Sequence, residues 1–261
     1  MKVAGTNKYS QLCAKSNSRN IDGTPIVYPP CNSKLDPTDF LSFSVYNEHA
    51  IWVTRDGQAH AIGDNRYNQI IETFPKKVLE DISTINIEDQ EGQEWQTLSA
   101  VCGETYSLYL VSLPTDNTVT KLVYAHKNYK DNYPLFLSTG DRYPIALFGG
   151  SHTSAAVDSE GLIVIITNSV LNQRSPKVEW IPLPRCEKAV KIACCDEYIF
   201  ALALSGRVFE CSLTDNDQFS FSEVEDFSGS KIVSVTGSHH HCLAVSSDGL
   251  VFGRGSNKQG R

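Results

Sequence analysis

Gly237-Ser238-His239-His240-His241-Cys242-Leu243-Ala244-Val245-Ser246-Ser247-Asp248-Gly249-Leu250-Val251-Phe252, followed by Gly255-Ser256-Asn257-Lys258, is the stretch whose reading decides the fold. A second copy runs Gly149-Gly150-Ser151-His152-Thr153-Ser154-Ala155-Ala156-Val157-Asp158-Ser159-Glu160-Gly161-Leu162-Ile163-Val164. In both, 12 positions separate the first glycine from the glycine of Asp-Gly or Glu-Gly. Self-similarity at a period of tens of residues is the signature of a repeat architecture. Such architectures build binding surfaces more often than catalytic clefts.

Three further copies are degenerate but in register. Val45 lies 12 residues before Gly57, with Gly63-Asp64-Asn65 beyond, and Cys194 lies 12 before Gly206. Gly103 lies 12 before Thr115, where the turn glycine is lost. The chain also opens on the closing phrase, as Gly5-Thr6-Asn7-Lys8. From Gly5 to Gly255 is 250 residues, or five units of about 50 each.

Each unit reads as a β-hairpin. An apolar run, then Asp-Gly or its equivalent, then a second apolar run is a strong hairpin signal, because glycine supplies the positive φ of a tight turn. Turns are expected at Gly57, Gly161, Gly206 and Gly249, and a longer or distorted hairpin at Thr115. Alanine recurs five residues before the turn glycine (Ala156, Ala201, Ala244), where Trp52 stands in the first copy. Alanine is a poor strand former, so its recurrence points to a crowded position near a shared axis.

Taken together, the glycine and His-rich stretch, the run through Asp-Gly and the closing Gly-Ser-Asn-Lys resemble the repeat of the regulator of chromosome condensation family. Val235–Gly260 carries the most specific likeness and Glu94–Lys130 the least. The resemblance implies an all-β protein, a seven-bladed β-propeller with four-stranded blades. Residues 1–261 then form one propeller domain, with approximate repeat units 5–62, 63–124, 125–166, 167–212 and 213–261. Five units fall short of seven blades, so the expectation is part of a larger ring, with apolar surface exposed at the terminal units. Leu12, Val251 and Phe252 are the residues to inspect. Cys194 and the pairs Thr167-Asn168 and Leu213-Thr214 depart from the family's glycine pattern.

Bulk properties agree with a β-rich globular chain. Of its residues 41% are hydrophobic and 20% charged, and no apolar run approaches the length of a membrane span, so no membrane association is expected. The repeat begins by Gly5, so no signal peptide is expected, and no Asn-X-Ser/Thr sequon occurs. Localisation in the cytoplasm, the nucleus or both is expected, with the cysteines reduced. Cys102, Cys194, Cys211 and Cys242 lie in or beside expected strands as small buried hydrophobes, and Cys194-Cys195 point to opposite strand faces.

Candidate chemistry is sparse. In a strand only His239 and His241 of the histidine run converge, and His152 stands where His240 does, so the run reads as a repeat feature and no metal site is assigned. Asp56, Asp158 and Asp248 sit in or next to turns, where carboxylates accept local backbone hydrogen bonds. There is no Gly-X-Ser-X-Gly elbow or Gly-Lys-Ser/Thr phosphate loop, and no catalytic residue or cofactor is assigned. The formal net charge of −7, with no dense basic cluster, argues against nucleic acid as a direct partner.

Individuality lies between the repeats. The acidic Glu88, Asp89, Glu91 and Glu94 and the tyrosines Tyr129, Tyr133 and Tyr143 are the candidate partner-contact residues, since loops on rigid scaffolds carry function and tyrosine favours interfaces. A helical turn is expected around Pro75–Glu80. The leading functional reading is a non-enzymatic protein-interaction propeller, a scaffold or adaptor. The alternatives are a guanine-nucleotide exchange factor for a small Ran-like GTPase, as the resemblance implies, and a degenerate structural repeat domain.

Overall fold

The computed structural model describes residues 39–46, 48–66, 68–70, 78–126, 135–167, 178–213 and 219–255. They form five antiparallel sheets. The first holds β1 (Phe40–Tyr46), β2 (His49–Thr54), β3 (Ala59–Asp64) and β4 (Val78–Ile85), and the second β5 (Ile87–Glu88), β6 (Glu94–Cys102), β7 (Tyr106–Leu113), β8 (Asp116–His126) and β9 (Leu135–Leu137). The third holds β10 (Pro144–Gly149), β11 (Thr153–Asp158), β12 (Ile163–Thr167) and β13 (Trp180–Ile181). The fourth comprises β14 (Ala189–Cys194), β15 (Tyr198–Ala203), β16 (Val208–Ser212) and β17 (Ser222–Glu223), and the fifth β18 (Ile232–Gly237), β19 (His241–Ser246) and β20 (Val251–Gly255). The first two sheets belong to one compact unit, Met1–Leu137, and the last three to a second, Ser138–Arg261.

Strands within a sheet follow chain order, and each pairs antiparallel with its neighbours in sequence. In each of the first four sheets the last strand comes from the sequence unit after the one that supplies the others. β4, for example, lies beyond residue 62, and β17 beyond residue 212. Part of the helical turn expected around Pro75–Glu80 is corrected: Val78, Leu79 and Glu80 begin β4, and the remainder lies outside the described residues. A β-branched residue followed by a ladder partner on β3 favours strand over a single helical turn.

The four expected turn glycines adopt positive φ: 82° at Gly57, 80° at Gly161, 91° at Gly206 and 85° at Gly249. Three residues earlier, Thr54, Asp158 and Ser246 reach back to close the turn. The Asp158 carboxylate accepts from the Glu160 and Leu162 amides, and the Ser246 hydroxyl bonds both the N–H and the C=O of Leu250. At Thr115 the hairpin is distorted as expected. Its strands are the long β7 and β8, and the register steps from Ser112↔Thr120 to Leu113↔Asp116.

Sheets pack on one another through alternating strand faces. Cys194 lies in the core that joins the third and fourth sheets, with Ala155, Ile163, Ala201 and Phe209. Cys195 lies in the core joining the fourth and fifth, with Phe200, Leu202, Val235 and Ala244, so the adjacent thiols do face opposite ways. Ala201 and Ala244 each face the preceding sheet, and the crowding at the recurrent alanine is that of sheet on sheet. In the first unit, Ile51, Val53, Ala59 and Ala61 share a core with Ala100, Tyr109 and Val123 of the second sheet.

Polar bonds stitch the same seams. Ser44 Oγ accepts the Cys102 amide at 2.9 Å, and His49 Nε2 meets Ser107 Oγ at 3.0 Å. His49 is fully buried, and that burial lowers its pKa from the ordinary 6.5 to about 4. In this window the unfolded chain binds a proton that the folded chain refuses, so stability rises with pH. As pH falls from 6.5 toward 4 the protein is expected to lose about 3 kcal/mol from this group, at 1.36 kcal/mol per pH unit. Denaturant melts of His49→Gln across that range should be correspondingly flatter than those of the parent.

The turn glycines carry a second constraint. A Cβ on Gly161 would lie 2.6 Å from Lys188 Cα, whereas one on Gly249 would meet nothing within 4 Å. Gly249→Val is therefore expected to cost about 1–3 kcal/mol, the price of a left-handed non-glycine residue alone. Gly161→Val should cost measurably more, because the fourth sheet must also move. Equal losses in thermal or denaturant melts would show that only φ matters at these turns.

Candidate functional site

The acidic stretch of the first unit is a tight turn between β5 and β6. Asp89 Oδ1 accepts the amides of Glu91 and Gln93, and Asp89 Oδ2 accepts Trp95 Nε1–H at 3.2 Å. Hydrogen bonding from the Gln93 amide, aided by Trp95, holds its pKa below the ordinary carboxylate range. Lys121 Nζ stands 4.6 Å over the Trp95 ring. Asp89 is thus committed to the turn, while Glu88, Glu91 and Glu94 are exposed and available to a partner. Of the tyrosines, Tyr143 is exposed just before β10; Tyr129 and Tyr133 lie outside the described residues.

A feature that sequence reasoning missed recurs in every sheet. The first antiparallel partner of each turn hairpin (β1, β6, β10, β14 and β18) carries a β-bulge near its start. The residue skipped by the register is Leu41, Leu98, Ile145, Val190 or Val233, aliphatic in all five. Four of them are about half exposed, at 51%, 59%, 46% and 53% for Leu41, Ile145, Val190 and Val233. A bulge re-aims a side chain out of the pleat. The available signal was an apolar pair, such as Ala189-Val190 or Ile232-Val233, that breaks the period-two alternation.

In the second unit these side chains gather at one end of three successive sheets. Leu204 N–H donates to Lys188 O and Ser247 N–H to Lys231 O, which sets the turns beside the starts of β14 and β18. Exposed Leu204 and Leu250 in the turns, and Tyr143 beside Ile145, enlarge the patch. Its charges are partly paired: Arg142 reaches Asp158 and Glu160, and Arg207 approaches Glu187 and Glu223. The result is an aliphatic surface with a polar border, the composition of a protein-contact patch.

At the opposite end a cavity of about 540 Å³ opens between the fourth and fifth sheets, lined by Tyr198, Glu210, His239, His240, His241 and Arg254 among others. Asp196 Oδ2 pairs with His239 Nδ1 at 3.1 Å and lies 4.0 Å from His240 Nδ1. Arg254 is occupied, bidentate to Glu210 and paired with Asp226. Among the described residues no group of three His, Cys, Asp or Glu side chains is arranged to hold a metal ion. The described cysteines are all free; burial pushes the thiols of Cys102 and Cys242 up to about 12 and that of Cys195 to about 11, so they stay protonated.

The chain matches no protein-family model and no curated protein. Solved structures are more informative. Human WBSCR16 superposes with a TM-score of 0.73 at 14% identity, over 97% of this chain and 74% of that one. Yeast RCC1 (Prp20), solved bound to Kap60, gives 0.53 at 13% identity, over 98% and 78%. Prp20p of Saccharomyces cerevisiae, described with its binding to Gsp1p and histones, gives 0.52 at 12%, over 97% and 80%. The chain therefore has the fold of the regulator of chromosome condensation type of β-propeller, as its repeat implied.

Proposed function

We propose that this chain is a non-enzymatic, intracellular protein-interaction propeller, a scaffold whose contacts are made at the strand ends rather than in a catalytic cleft. The observation that carries the reading is the row Ile145, Val190 and Val233, one exposed aliphatic residue per sheet at equivalent bulges, with Tyr143 alongside. About half of each side chain is open to a partner, and exposed apolar side chains repeated at equivalent strand ends suit a contact site. The exposed Glu88, Glu91 and Glu94 add acidity, favouring a partner with a basic face and salt-sensitive association. Neither nucleic acid nor a membrane is proposed as a direct partner, and no described helix is long and apolar enough to cross one.

A second reading, exchange factor for a small Ran-like GTPase, is favoured by the likeness to Prp20p and its described binding to Gsp1p. The two readings separate in solution. For the scaffold, the triple variant Ile145→Ser, Val190→Ser, Val233→Ser should weaken capture of the partner at least about tenfold, as loss of interface anchors does. Its circular dichroism should be unchanged, since all three side chains are exposed. Retained capture by this variant would remove the patch. Accelerated release of labelled GDP from a Ran-type GTPase by the parent protein would put the exchange reading first.

A further inference from the structure

We infer that the cavity between the fourth and fifth sheets receives an arginine side chain presented by another protein, at a site separate from the aliphatic row. The charges around its walls select the ligand. Glu197 and Glu210 line it from the fourth sheet and Arg254 from the fifth. Arg254 is bidentate to Glu210 and pairs with Asp226, so its charge is already matched by carboxylates. Glu197 is exposed, and Asp196 pairs with imidazoles alone, at Nδ1 of His239 and of His240. With those imidazoles neutral, the carboxylates of Asp196 and Glu197 leave the cavity negative.

Hydrogen bonding points the same way. Asp196 Oδ1 and His241 Nδ1 are buried polar atoms that bond to nothing. Such atoms are few in native proteins, and each one calls for a partner. An ionised carboxylate only accepts, and an imidazole Nδ1 accepts when its proton sits on Nε2. The complement of this corner is a cation rich in donors. A guanidinium carries its N–H groups in a planar fork that fits a carboxylate, and its face stacks on aromatic rings. Tyr198 offers such a ring in the cavity wall, 41% exposed and with its centroid 6.3 Å from that of Phe200.

Other ligands fit less well. An anion would meet the carboxylates while Arg254 is engaged elsewhere. A metal ion lacks a suitable group of three ligands among the described residues. Free arginine would bring its own carboxylate into an acidic site, whereas an arginine within a chain has none beside it. The volume of about 540 Å³ lies within the roughly 300–1,000 Å³ of ligand sites and leaves room for such a side chain.

Nuclear magnetic resonance titration of the full chain tests the inference, read at the ring signals of His239, His240 and His241. The probe is acetyl-Gly-Arg-Gly-amide, with its neutral citrulline counterpart and free arginine as comparisons. The arginine peptide should give saturable shifts and a dissociation constant at least about tenfold lower than either comparison. Glu197→Gln, at an exposed side chain, and Asp196→Asn should each weaken its binding at least about threefold. Asp248→Asn, exposed in the turn at the other end of the fifth sheet, should leave it unchanged. So should the triple serine variant of the aliphatic row, so that either site can fail without the other. Circular dichroism on each variant confirms the fold. No saturable shift, equal binding of the citrulline peptide or of free arginine, or full binding by Glu197→Gln overturns the inference.

Discussion

One hydrogen bond recurs at the seams and fixes the rest. The carbonyl of a turn glycine accepts the amide at the start of the next sheet: Gly57 O from Thr97, Gly161 O from Ala189 and Gly206 O from Ile232, at 2.9–3.1 Å. The turn must be tight and left-handed to aim that carbonyl outward, and the residue must lack a Cβ to let the next sheet approach. Glycine meets both demands. The bond sets the height at which neighbouring sheets stack, and strand alternation then decides which side chains meet.

Stacking in this register explains the composition of the seams. Small residues recur where a middle strand meets the preceding sheet, and larger ones fill its opposite face: Ala201 against Phe200 and Leu202 on the same strand. Gly150 and Gly237 both approach the Cys194 carbonyl so closely that a Cβ on either would lie 2.8 Å from it. Cys194 can replace a glycine there because it is the residue approached, with its side chain turned into the core between the third and fourth sheets. The buried thiols and His49 are held neutral by the same packing, and their chemistry is that of fillers.

The two ends of the sheets divide the functional surface. Turns and bulges expose aliphatic side chains at one end, while the other carries histidines, Asp196 and the ion pairs of Arg254 around an open cavity. The aliphatic end offers hydrophobic contact area, and the cavity end offers polar groups that largely satisfy one another. A protein partner suits the first better than a small ligand suits the second.

Sequence alone determined the hairpins, their turns and the propeller class, because a glycine at positive φ and a period of two are local demands that every copy repeats. It also placed Asp56 and Asp158 in turn chemistry, and both side chains accept backbone amides there. It anticipated the distortion at Thr115 for the same local reason. The candidate site was only partly legible. The Glu88–Glu94 stretch does lie at the surface, but Asp89 is taken by its own turn and Trp95. The bulged aliphatics were invisible, because Val190 and Val233 read like any other strand residue until pairing shows the ladder skipping them. Exposure at Val251 was expected of a terminal unit, but exposure at Leu243, against burial at the equivalent Phe200, was decided by tertiary structure alone, since the pattern is the same in both hairpins and only a neighbouring sheet makes one of them core.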